Sequence, residues 1–154
     1  MRYQFTTGDQ GFTLDGLGGM GGSITNGARD ITIRNSTFNT HATFDNLANS
    51  AILFDHNTHN GINSPSGAPN ARLGFYWGSS TPSGVTIQNS TMRGGDSDGV
   101  HTGVAVNVLN NEFVDICAGG ANHTDMMQFE GAVGGRVAGN WFHAGSCTTQ
   151  ALTS

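Results

Sequence analysis

Ile31-Thr-Ile-Arg-Asn-Ser-Thr-Phe38 returns, with three substitutions, as Val85-Thr-Ile-Gln-Asn-Ser-Thr-Met92. Weaker copies keep the template: Ile52-Leu-Phe-Asp-His-Asn-Thr-His59, Val106-Asn-Val-Leu-Asn-Asn-Glu-Phe113 and Gly135-Arg-Val-Ala-Gly-Asn-Trp-Phe142. Each reads apolar, polar, apolar, then a small polar corner, then apolar again. Alternation by two that runs into such a corner is a short strand entering a turn.

Aligned on the corner, one column reads Ser36, Asn57, Ser90, Asn111 and Asn140, at steps of 21, 33, 21 and 29 residues. The base step is 21, and the longer steps carry strand-breaking inserts. One holds Asn63-Ser-Pro-Ser-Gly-Ala-Pro-Asn70 and Gly78-Ser-Ser-Thr-Pro-Ser-Gly84, the other Cys117-Ala-Gly-Gly-Ala-Asn122. Such inserts read as loops added to a constant unit. A fixed period of this length marks a repeat protein, whose units bury their apolar faces only against neighbours. Leucine is too scarce for a leucine-rich repeat, and apolar spacing by two excludes helical repeats. The reading that remains is all-β: a solenoid of about 21-residue coils, a parallel β-helix, with strands stacked about 4.8 Å apart. Its expected inward columns are Ile31/Ile52/Val85/Val106, Ile33/Phe54/Ile87/Val108/Val137 and Phe38/His59/Met92/Phe113/Phe142. Like side chains then stack along the axis, and the corner Asn and Ser bond along the ladder.

This repeat resembles the right-handed parallel β-helix superfamily, which includes pectate lyases, polygalacturonases, chondroitinase and many secreted bacterial proteins. The resemblance runs from about Phe12 onward. It implies a right-handed, single-stranded coil and a polysaccharide-directed role, but no particular activity, because the fold hosts many chemistries.

With 154 residues, one domain is expected over 1–154. Cys147-Thr-Thr-Gln-Ala-Leu-Thr-Ser154 reads as the opening of another coil, so the chain is expected to be a portion of a longer solenoid, with any leader upstream of Met1. Met1–Asp15 is expected to form a strand pair or a first incomplete coil that caps one end. Gly16-Leu-Gly-Gly-Met-Gly-Gly22 lacks the following helix that phosphate binding requires, so it reads as tight turns. There is no lysine, and the net charge is −5. No basic stripe is available for nucleic acid, and no apolar run is long enough to span a membrane. Cys117 and Cys147 take nearly the same place on successive coils. A disulfide between them is therefore expected, and with it an oxidising, extracellular compartment.

The chemistry concentrates in Gly94-Gly-Asp-Ser-Asp-Gly-Val-His-Thr-Gly103 and Asn122-His-Thr-Asp-Met-Met-Gln-Phe-Glu-Gly131. Aligned, Asp98 falls over Asp125, Val100 over Met127, and His101 over Gln128. The Asp-x-x-His/Gln pattern resembles a second-strand motif of secreted bacterial β-helix proteins. Asp98, Asp125, His101 and His123 are the candidate catalytic residues: stacked carboxylates suit glycosidase chemistry, and histidines supply acid–base function near neutral pH. Arg72, Tyr76, Trp77, Arg93, Gln128 and Glu130 are candidate substrate contacts. Arg72 and Arg93 are cations for a uronate carboxylate, as a lyase would need, and Tyr76 and Trp77 stand open between packing and sugar stacking. Asp96 with Asp98 is a candidate Ca²⁺ site. A zinc site from His101, His123 and Asp125 has only the stacking in its favour. The expected function is thus a carbohydrate-active enzyme, a lyase or glycoside hydrolase. The alternative is a non-catalytic scaffold for binding, adhesion or surface structure, since Asp and Asn at strand ends also serve only to bond the backbone.

Overall fold

The computed structural model describes residues 1–25, 27–45, 50–63, 71–76, 84–117, 123–132, 134–146 and 149–153; for 43–45, 50 and 76 only the backbone is described. Among these residues every regular element is a β-strand, every strand pairing is parallel, and no helix is long and apolar enough to cross a membrane.

The strands fall into two sheets. The first stacks β2 (Thr13–Asp15), β4 (Arg29–Arg34), β6 (Ser50–Asp55), β9 (Val85–Gln88), β12 (Val106–Leu109) and β15 (Arg136–Ala138), in chain order. The second is built around β5 (Thr37–Asp45), a nine-residue strand. Its first half pairs with β7 (Thr58–Asn60), followed by β10 (Thr91–Arg93), β13 (Glu112–Val114) and β16 (Trp141–His143). Its second half pairs with β8 (Ala71–Tyr76), followed by β11 (Asp98–Thr102), β14 (Asp125–Phe129) and β17 (Gln150–Thr153). β3 (Met20–Thr25) joins β5 to β1 (Arg2–Phe5). From β6 onward, each round of chain lays one strand on the first sheet and two on the second. This order is consistent with a solenoid-like stack. The N-terminal strand belongs to the same stack: β1 lies parallel to β3, with Tyr3 and Phe5 in the core.

The register follows the repeat. Ile31 pairs with Ile52, Phe54 with Ile87, Val85 with Val106, and Val108 with Val137. Phe38, His59, Met92, Phe113 and Phe142 form one continuous column. All are fully buried except Phe142, which is half-buried. Each such apolar side chain stabilises the fold by about 1.5–3 kcal/mol.

Between the sheets the chain turns at a residue in the left-handed region: Asn35, His56, Asn89 and Asn110 at φ of 51–55°, with Gly16 and Gly139 at the same place. Asn and Gly adopt this conformation at least cost. The next residue is the polar corner, and it bonds along the stack. The Ser36 N–H donates to Asn57 Oδ1 (3.0 Å), Asn57 N–H to Ser90 Oγ (3.0 Å), Ser90 N–H to Asn111 Oδ1 (2.9 Å), and Asn111 N–H to Asn140 Oδ1 (2.8 Å). Each Asn amide also donates to a carbonyl on the preceding coil: Asn57 to Ile33, Asn111 to Ile87, Asn140 to Val108. The buried backbone at every corner is thereby satisfied.

Candidate functional site

Val100 stacks on Met127 and His101 on Gln128, with Leu73 and Gly74 beneath them on β8. β11 opens with Asp98-Gly99. A methyl group on Gly99 would lie 2.3 Å from the Met126 carbonyl oxygen and 2.7 Å from the Phe113 ring. Glycine therefore lets β11 close onto β14, as a glycine inside a strand commonly does.

That closeness brings the charged groups together. The Asp125 N–H donates to Asp98 Oδ1 at 2.8 Å. Asp98 Oδ2 lies 3.6 Å from His101 Nδ1, an ion-pair distance too long for a hydrogen bond. On the other side of the ring, His101 Nε2 lies 3.1 Å from Glu130 Oε1. Gln128 Nε2 donates to that same oxygen at 3.4 Å. Asp98, His101 and Glu130 thus form one line of ionisable groups across β11 and the end of β14. Asp98 and His101 are buried, while the Glu130 side chain is 37% exposed and forms the outer end. Burial pushes the Asp98 carboxyl up to about 6; nearby Asp125 adds to the rise, and the hydrogen bond from Asp125 and the two histidines oppose it.

Asp125 is fully buried behind this line. Its Oδ2 accepts from Thr153 Oγ1 at 2.8 Å and lies 3.2 Å from Nδ1 of the exposed His123. Its Oδ1 has no hydrogen-bond partner among the described residues.

Arg72 lies inside the protein with no exposed surface. Its guanidinium donates to the main-chain carbonyls of Ser97, His59, Arg93 and Gly94. Burial lowers it to about 10, against the opposing fields of Asp98 and Asp96. The expected substrate cation is instead a clamp that ties β8 to β7, to the end of β10 and to the turn that follows it. The field of Asp96 and Asp98 falls on this cation. Both Asp98 oxygens also face protein groups, which leaves that carboxylate no oxygen turned outward for Ca²⁺. Among the described residues, no group of three or more His, Cys, Asp or Glu side chains is disposed to hold a metal ion.

Of the other expected contacts, Arg93 is exposed on β10, on the other branch of the second sheet. Tyr76 ends β8 and is described in its backbone only, and Trp77 lies outside the described residues. So does Cys147; its expected partner Cys117 follows β13, with its N–H on Gly95 O at 3.0 Å.

Sequence reasoning aligned the two Asp-x-x-His/Gln segments correctly and treated Glu130 as a substrate contact. The structure places Glu130 directly on His101. It also adds two residues that the sequence did not single out: Thr153, and Ser97, whose Oγ lies 2.9 Å from His41 Nε2. Ser97 lies within the Gly94–Gly103 stretch but was given no role there, Thr153 sits in no motif, and only the stacking brings both in.

Compared with known proteins, the chain matches no family model, no curated protein and no solved structure.

Proposed function

We propose that this chain is a right-handed parallel β-helix of a secreted protein and that it cleaves a polysaccharide by acid–base hydrolysis. The observation that carries the reading is the Glu130–His101–Asp98 line. A partly exposed carboxylate rests on an imidazole that a buried carboxyl, raised to about 6, holds from behind. A carboxylate on an imidazole, backed by a buried carboxyl, is an arrangement suited to proton transfer to and from a glycosidic oxygen and a water molecule. In this reading Glu130 meets the substrate, and the buried His101 supports it from within at 3.1 Å. Asp98 stabilises the charged form of the ring from 3.6 Å, and Asp125 holds the strand that carries them.

Hydrolysis is favoured over elimination for a physical reason. A lyase needs a free cation at the uronate carboxylate. Arg72 is enclosed by carbonyls, the exposed Arg93 lies on the other branch of the second sheet, away from Glu130 and His101, and lysine is absent. The secreted location rests on the sequence register alone, in which Cys117 follows Asn111 by 6 residues and Cys147 follows Asn140 by 7, a spacing that suits a disulfide. Mass spectrometry of the unreduced protein tests it, because two free thiols would remove that support.

A second reading has its own observation. Asp98 and Asp125 bond main chain and side chain between coils, as groups with a purely structural role would, and this suits a binding or adhesive scaffold. A panel of neutral and acidic polysaccharides separates the readings. New reducing ends without unsaturated-uronate absorbance support the hydrolase, absorbance with new ends supports a lyase, and neither signal supports the scaffold.

A further inference from the structure

The outer surface of β13 and β16 lies on the branch that does not hold Glu130 and His101. Alternation along β16 sends Phe142 inward, where it stacks on Phe113 with ring centroids 5.0 Å apart. It sends Trp141 and His143 outward. Trp141 is 53% exposed, the largest aromatic surface among the described residues. Its ring stacks on His143 with centroids 5.3 Å apart and planes within 7°. The imidazole is held in turn by Asp115, whose Oδ1 lies 3.4 Å from His143 Nδ1. Gly145 makes that placement possible: a methyl group there would lie 2.5 Å from the same Asp115 oxygen. Glu112, directly beside Trp141 in the register, is exposed and accepts from Thr91 Oγ1 at 3.4 Å.

An outward indole of this size, fixed by a stacked neighbour and flanked by carboxylates, does nothing for the core. We propose that Trp141 is a stacking platform for a neutral sugar ring of a polysaccharide chain, with Glu112 and Asp115 accepting hydrogen bonds from its hydroxyls. The indole face suits the apolar C–H face of a pyranose. The ring edge carries hydroxyl donors, and carboxylates are strong acceptors for them. Charge bears on the class of sugar: Glu112 and Asp115 flank the ring, while the exposed Arg93 stands two strands away in the register of Val114 and His143, so the nearer carboxylates repel a uronate and favour an uncharged residue. The proposal rests on the polysaccharide reading and narrows its substrate.

The test is affinity gel electrophoresis of the folded protein in gels containing a soluble neutral β-glucan, a neutral galactan or a polygalacturonate. The wild type is expected to be retarded by a neutral polymer and not by the polyuronate. Trp141→Ala is expected to weaken that retention at least tenfold with an unchanged far-UV spectrum, and Trp141→Tyr to restore most of it. Equal retention of wild type and Trp141→Ala overturns the platform, as does no retention of the wild type by any neutral polymer or stronger retention by the polyuronate. Retention that depends on Trp141 in a protein without turnover upholds the platform while rejecting the hydrolase. Turnover of a neutral polymer with KM unchanged in Trp141→Ala does the reverse.

Discussion

His59 occupies a place in the core column where the neighbouring coils put Phe38 and Met92. It is fully buried and stacks on Phe38 at 4.4 Å, and neither ring nitrogen has a hydrogen-bond partner among the described residues. Burial, with the Arg72 charge nearby, pulls its pKa down to about 3. The unfolded chain takes up a proton near pH 6.5 and the folded one does not, so stability falls as pH drops from about 6.5 toward 3. His59→Phe removes this term and two orphaned nitrogens. Its acid-unfolding midpoint, followed by circular dichroism, is expected about one pH unit below that of the wild type. Asp98 works in the opposite sense. Its folded pKa of about 6 lies above the unfolded value, so its contribution is full below about pH 4 and fades as pH rises through 6. Asp98→Asn keeps an oxygen for the Asp125 N–H. Denaturant titration is expected to find it more stable than wild type at pH 7 by about 1–2 kcal/mol, with the difference gone at pH 4. The buried Arg72 and the His101–Glu130 contact had no sequence signature. A cation satisfied by four carbonyls leaves no pattern in residue types, and a contact across coils depends on the exact path of the turn.

At the scale of the element, the corner carries the fold, and it was fully legible. The column Ser36, Asn57, Ser90, Asn111, Asn140 could be written from spacing alone, because each member must occupy the same turn and bond its neighbours. The structure adds how Ser and Asn divide the work. Ser36 and Ser90 donate within their own coil, to the Arg34 and Gln88 carbonyls, whereas Asn57, Asn111 and Asn140 reach back one coil. Asn111→Ala would strand the buried Ser90 N–H and the Ile87 carbonyl at once. Chemical denaturation is expected to register a loss of about 2–4 kcal/mol, and Asn111→Ser, which restores an acceptor, a clearly smaller one. Strand lengths were less legible. The repeat template ends at Phe38, yet β5 runs unbroken from Thr37 to Asp45. Nothing in Phe38-Asn-Thr-His-Ala42 breaks a strand, whereas Gly94-Gly95 does so between β10 and β11, both at positive φ.

At the scale of the whole molecule, stacking turns a sequence period into two separate outer surfaces. One carries the Glu130–His101–Asp98 line on β11 and β14, the other the Trp141 ring on β16. Both lie on strands whose inward neighbours, Val100, Met127 and Phe142, pack against the core. Under the proposed function, a rigid ladder of this kind would hold catalytic and binding groups at fixed spacing along an extended substrate. The chain's −5 charge and lack of lysine suit a polymer without strong negative charge. The central claim is that the exposed end of the ionisable line performs proton transfer on a polysaccharide. The most direct measurement is the rate of reducing-end release from the neutral polymer on which the wild type is active, compared with Glu130→Gln, both confirmed folded by circular dichroism. Glu130→Gln keeps a group that can bond His101 but cannot transfer the proton. A fall in kcat of about a hundredfold or more, with KM little changed, is the expected result. Equal rates in the two proteins, or no release by the wild type from any polymer, would contradict it.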